Sequence, residues 1–99
     1  MILITGAAGK TGKAVIQALS KRNVSVRALV HRPDQVDAMR RLGVQEIIVG
    51  DMRSPASMQR ACRGVHSIYH ICPNVSPDEQ AIGQTVLTAA QDSGVRHMV

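Results

Sequence analysis

Apolar residues fall in short clusters along the 99 residues, and two periods alternate between them. Ile2, Leu3 and Ile4 form a run without polar interruption, the mark of a strand buried on both faces of a parallel sheet. Ala14, Val15, Ala18 and Leu19 then recur at helical spacing, and Lys21-Arg22-Asn23 closes that segment, which predicts a helix over about 11–22. Residues 24–30, Val-Ser-Val-Arg-Ala-Leu-Val, predict a second strand. Pro33-Asp34 opens a second helix with Val36, Met39 and Leu42 on one face and Gly43 as its stop. A third strand is expected over 44–49, ended by Gly50-Asp51. Ser54-Pro55 caps a third helix with an inner face of Met58, Ala61 and Cys62, and it ends at Gly64. Residues 65–72 predict a fourth strand. Ser76-Pro77-Asp78-Glu79 is a capping box for a fourth helix, lined by Ile82, Val86, Ala89 and Ala90 and stopped by Gly94. Residues 95–99 open a fifth strand. Strict alternation with short links predicts a doubly wound α/β fold with one parallel sheet and right-handed crossovers. The expectation is one domain, cut in or near strand five, whose apolar edge would tend to pair with another chain.

The link between the first strand and the first helix carries glycines at 6, 9 and 12. A pyrophosphate approaches a backbone closely only where no Cβ intervenes, and the N–H groups opening a helix supply donors and partial positive charge. In this reading Gly6 makes the tight turn, Gly9 admits the phosphates and Gly12 lets the helix pack against the strand. Ala8, Lys10 and Thr11 complete the phosphate-facing turn. The spacing is G-x-x-G-x-x-G, not the commoner G-x-G-x-x-G. A triphosphate-binding P-loop is excluded: Ile4 stands five residues before Gly9 where glycine is required, and Ala14 follows Gly12-Lys13 where Ser or Thr must hold magnesium. The alternative is that the glycines merely shape a strand-to-helix turn.

Composition narrows the partners. Hydrophobic residues make up 44 % and charged ones 19 %, with no Trp or Phe and one Tyr, so the core is aliphatic and the aromatic platforms used on single-stranded nucleic acid are missing. Nucleic acid is therefore not the expected partner, despite a net charge of +5. Eleven of the twelve Lys and Arg lie in residues 1–63, against four acids there, which suits an anionic ligand. Cys62 and Cys72 have no metal-type spacing and are expected to be free thiols in a reducing compartment. No leader-like run or membrane-length segment is present, so the expectation is a soluble cytoplasmic protein without membrane contact. His66 and His70 are four apart, which on a strand is about 13 Å, too far for one metal ion. Tyr69 is followed four places on by Pro73, so no Tyr-x-x-x-Lys acid–base pair is formed and Tyr69 is expected to pack.

With the T-G-A-A-G-K-T-G turn, A-L-V-H-R-P after strand two, V-G-D-M after strand three and the final G-V-R-H-M-V, the chain resembles the N-terminal part of an NmrA-like atypical short-chain dehydrogenase/reductase. The resemblance covers all 99 residues and implies a Rossmann domain binding NAD(P), in proteins that are reductases or redox-sensing regulators. His31-Arg32 stands where an NAD enzyme places an acid on the ribose, and a cation there favours the 2′-phosphate of NADP, with NAD as the alternative cofactor. The family's basic residue usually falls at the position of His31, so both residues are candidates; the alternative for Arg32 is a solvated surface cation. Asp51 matches the family's adenine-contacting acid, with the Met52 backbone beside it; its alternative is a turn aspartate. Cys72 and Pro73 lie where the family's backbone passes the cofactor; their alternative is an ordinary strand-ending turn. The leading expectation is the NADP(H)-binding portion of a reductase of a small organic substrate, with no catalytic residue in 1–99. The alternative is a non-catalytic NAD(P)-sensing regulator acting through a protein partner.

Overall fold

The structure, a computed structural model, describes residues 1–71 and 79–98. In chain order the elements are β1 (Ile2–Ile4), α1 (Lys10–Ser20), β2 (Val26–Val30), a 3-10 turn (Pro33–Gln35), α2 (Val36–Arg41), β3 (Glu46–Val49), α3 (Pro55–Cys62), β4 (Ser67–Tyr69), α4 (Glu79–Asp92) and β5 (His97–Met98). The strands form one sheet in the order β3-β2-β1-β4-β5, and every pairing is parallel. This is the doubly wound Rossmann arrangement expected from the alternation. The chain runs outward from β1 to β3, crosses back, and runs outward again from β4, so the topological switch lies between β1 and β4.

Over β1 to β4 the side chains alternate between two cores, one on each face of the sheet, while both residues of β5 are exposed. Ile4, Val26, Ala28 and Val30 pack with Ala7, Ile16 and Met39 on the side of α1 and α2. Leu3, Leu29 and Ile68 pack with Met58, Ala61, Cys62, Val86 and Ala89 on the side of α3 and α4. That explains why the strands read as continuous apolar runs rather than alternating ones. The inner face of α1 differs from the expectation: Gly12 and Ile16 are buried and Val15 and Leu19 half-buried, while Ala14 and Ala18 are exposed. Tyr69 packs half-buried against the α1-side core.

The strands are shorter than their apolar runs. Val24, Val44 and Val95 donate their N–H groups back to Leu19, Met39 and Ala90, five residues earlier, closing the preceding helix with the left-handed residues Asn23, Gly43 and Gly94 between. These valines cover helix ends, and strand pairing starts two residues later. The second helix likewise begins as a 3-10 turn before α2 proper. The fourth strand pairs only over Ser67–Tyr69. The capping box at 76–79 lies outside the described residues up to Glu79, where α4 begins. Among the described residues no helix is long and apolar enough to cross a membrane.

Arg27 is the one charged residue in β2. Its side chain is 13 % exposed and turns toward α3, where Nε donates to Glu46 of β3 at 2.7 Å and Nη1 donates to the carbonyls of Ala61 at 2.7 Å and Arg63 at 2.5 Å. The cation thus satisfies carbonyls at the negative end of α3 and ties that end to the sheet.

Candidate functional site

The carboxyl ends of β1 and β4 are bound together by Thr5, which is fully buried. Its N–H donates to the Tyr69 carbonyl at 3.2 Å, and its hydroxyl oxygen accepts the Ile71 N–H at 2.9 Å and lies 2.8 Å from His70 Nδ1. Burial pushes the His70 imidazole pKa below its ordinary value. This clamp brings the Ile71 carbonyl against the next residue, Gly6. Gly6 has φ +58°, and a Cβ there would lie 2.6 Å from that carbonyl oxygen, so the turn and the close approach both require glycine. Gly12 answers a second close approach, because its Cβ would lie 2.6 Å from the carbonyl oxygens of Gly6 and Ala7. It therefore seats α1 on the turn, where the sequence reading had it packing on the strand.

Gly9 is different. Its φ of −75° and ψ of 170° suit any residue, and among the described residues a Cβ there would meet nothing nearer than the Gly6 carbonyl oxygen at 3.5 Å. The folded chain does not demand glycine at this position. Gly9 is also the N-cap of α1, and no side chain among the described residues caps that helix, in contrast to α3, where the Ser54 hydroxyl accepts the Ser57 N–H at 3.3 Å. The opening N–H groups of α1, those of Lys10, Thr11 and Gly12, have no partner within the helix, and its first turn contains no acid. Uncapped donors, the positive end of the helix and the Lys10 ammonium thus converge on one surface.

That surface is one wall of a groove along residues 6–12, with Leu29, His31, Gln35, Met52 and Ile71 opposite and beneath. A second hollow shares Gly6, Leu29, His31 and Met52 with it and continues to Gly50, Asp51 and Arg53. The two form one channel over the carboxyl ends of the strands, passing the switch between β1 and β4. Gly6, Ala8, Gly9, Lys10, Thr11, Gly12, His31, Asp51 and Met52 are all brought to it.

Arg32 is not part of either lining. Its Nε lies 3.4 Å from the Asp34 carboxylate, and both side chains are well exposed. His31, one place earlier, borders both hollows. Asp51 accepts the Arg53 backbone N–H at 2.8 Å and pairs with the Arg53 guanidinium at 3.1 Å. Those contacts hold its carboxyl below the usual carboxylate range. Asp51 is thus a turn aspartate and a channel residue at once. Cys72 and Pro73 lie outside the described residues. Cys62 is a free, buried thiol in the core, raised in pKa by that burial. His66 and His70 serve separate partners, His66 Nδ1 standing 2.8 Å from the Met1 amino group.

Sequence reasoning did not single out Gln35. Its Oε1 accepts the backbone N–H groups of both His31, at 3.2 Å, and Arg32, at 3.1 Å. The signal was the capping spacing from Arg32 to Gln35 across Pro33-Asp34, hidden because the residue in the cap position is Arg and not Ser, Thr, Asp or Asn.

The chain is similar to known proteins along its whole length. The model of the NmrA-like family matches residues 1–99. An NAD(P)H azoreductase of Xenophilus azovorans is 32 % identical over 99 residues, covering 100 % of this chain and 34 % of the relative. The NADPH-dependent quinone oxidoreductase QOR2 of Escherichia coli, solved with NADPH, superposes with a TM-score of 0.89 at 29 % identity, covering 99 % of this chain and 35 % of that one. The triphenylmethane reductase of Citrobacter sp., solved with NADP(H), gives 0.86 at 32 % identity, covering 99 % and 36 %. The chain therefore spans about a third of the length of the curated relatives it matches. With the family model matching from end to end on a five-stranded parallel sheet, the chain belongs to the NmrA-like family.

Proposed function

We propose that this chain forms the NADP(H)-binding part of an NAD(P)H-dependent reductase of a small organic substrate. The observation that carries the reading is Gly9, a glycine with ordinary backbone angles and open space where its Cβ would stand, at the uncapped N-terminus of α1. A glycine kept for the turn alone would resemble Gly6 or Gly12, whose Cβ atoms the fold itself forbids. The donor set fits a dinucleotide. The N–H groups of Lys10, Thr11 and Gly12 take the pyrophosphate, with the Lys10 ammonium adding charge. His31, with the field of Arg32 beyond it, takes the 2′-phosphate; Asp51 and the Met52 backbone take the adenine. Cys72 and Pro73 are included in the cofactor-binding set on the family resemblance alone. When bound, NADPH supplies the hydride that an acceptor receives. No residue of this chain is assigned to protonate or orient that acceptor. Relatives that use NAD(P)H on an azo compound and on quinones favour an acceptor of that kind.

The test is to mix the full-length protein, of which these residues form the cofactor-binding part, with NADPH and a panel of quinone, azo and carbonyl acceptors, following the nicotinamide absorbance. Acceptor-dependent oxidation is expected. Tight NADPH binding without turnover on any acceptor would overturn the reductase reading in favour of a regulator that senses cofactor occupancy.

A further inference from the structure

Gln35 lines the groove together with His31, the residue proposed to take the 2′-phosphate, and its side chain is oriented by the backbone rather than by chance. Its two hydrogen-bond partners, the N–H groups of His31 and Arg32, are both donors, so the atom facing them must be the carbonyl oxygen. With the oxygen so fixed, the NH2 group is left with no partner among the described residues, and the residue borders the groove together with His31 and the glycine turn. Arg32, the stronger cation in sequence, points instead to Asp34 and does not border the groove.

We propose that Gln35 is a specificity-determining residue of this groove, its amide NH2 donating to the 2′-phosphate of NADP(H) while its carbonyl holds the His31–Arg32 backbone in place. The inference rests on the NADP(H) reading above and extends it. The amide has two jobs, and a carboxylate can do only one of them. Glutamate at this position would accept the same two N–H groups and would suit the start of α2, so the fold is kept. It would also bring a negative charge to the phosphate in place of a donor. NADPH would be repelled, and NADH, which has only hydroxyls there, would not be.

The experiment measures dissociation constants for NADPH and NADH on the intact encoded chain, its Gln35→Glu variant and its Gln35→Met variant, with melting temperatures recorded alongside. Gln35→Glu is expected to weaken NADPH about tenfold or more, the scale of one hydrogen bond to a charged group, while NADH changes by less than about twofold. Gln35→Met, which removes both jobs, is expected to lower the NADPH-to-NADH preference as well, and it decides the matter should the glutamate variant fail to fold. An unchanged preference in the variants, or an equal loss of both dinucleotides, would overturn the proposal and leave Gln35 a loop brace only. Failure of the unaltered chain to bind either dinucleotide would instead overturn the underlying cofactor reading.

Discussion

At the scale of single residues, the decisive contacts gather around Thr5. One buried hydroxyl serves the Ile71 N–H and the His70 ring, and through Ile71 it sets how closely the fourth strand's exit presses on Gly6. His70 supplies a pH dependence with a definite sign. Its folded pKa lies below the ordinary 6.5, so between those two values the unfolded chain binds more protons than the folded one. Stability from this group is fully present above 6.5 and is lost as the pH falls toward the folded value. Melting temperatures recorded across that interval should drop on acidification, and the drop should be smaller in a His70→Gln variant, whose amide stays neutral. Equal slopes for the two proteins would remove His70 as the cause. Little of this was legible in the sequence. His66 and His70 face separate partners, Met1 and Thr5, each 65 residues away along the chain. Glycine spacing was far more legible, because a missing Cβ acts locally. What spacing could not do was separate Gly6 and Gly12, which the fold itself requires, from Gly9, which it does not.

Among the elements, every helix and strand was readable from periodicity and stop signals within the described residues, while strand starts were placed early. The reason is visible at Val24, Val44 and Val95, apolar residues whose N–H groups close helices five residues back rather than joining the sheet. Hydrophobicity alone does not distinguish covering a helix end from pairing in a strand. Arg27 was equally opaque, since a charged residue inside an apolar strand usually marks a solvent-facing position. Here it holds β2, β3 and the end of α3 together from a nearly buried side chain. Replacing it with Met should lower stability by about 2–3 kcal/mol, because two carbonyls and a carboxylate lose a charged donor. Glu46 is 47 % exposed, so Glu46→Gln should cost less than about 1 kcal/mol. Denaturant midpoints for the two variants check both values, and equal effects would mean that the surface pair matters and the carbonyl contacts do not.

Across the whole molecule, a parallel sheet with its switch between β1 and β4 creates a crevice at the carboxyl ends of the strands, and the glycine turn opens into that crevice. Of the eleven basic residues in 1–63, Lys10 and Arg53 line the channel. Fold class was legible from alternation alone; the channel was legible in part, since the turn, His31, Asp51 and Met52 reach it while Arg32 does not. The central claim is that the channel exists for a dinucleotide whose phosphates pass over Gly9. Calorimetric titration of NADPH and NADH into the intact encoded chain and its Gly9→Val variant tests it most directly. NADPH is expected to bind about tenfold or more tightly than NADH, and Gly9→Val to abolish NADPH binding with the melting temperature nearly unchanged. NADPH binding undiminished in the Gly9→Val protein, or no binding by the unaltered chain, would contradict it.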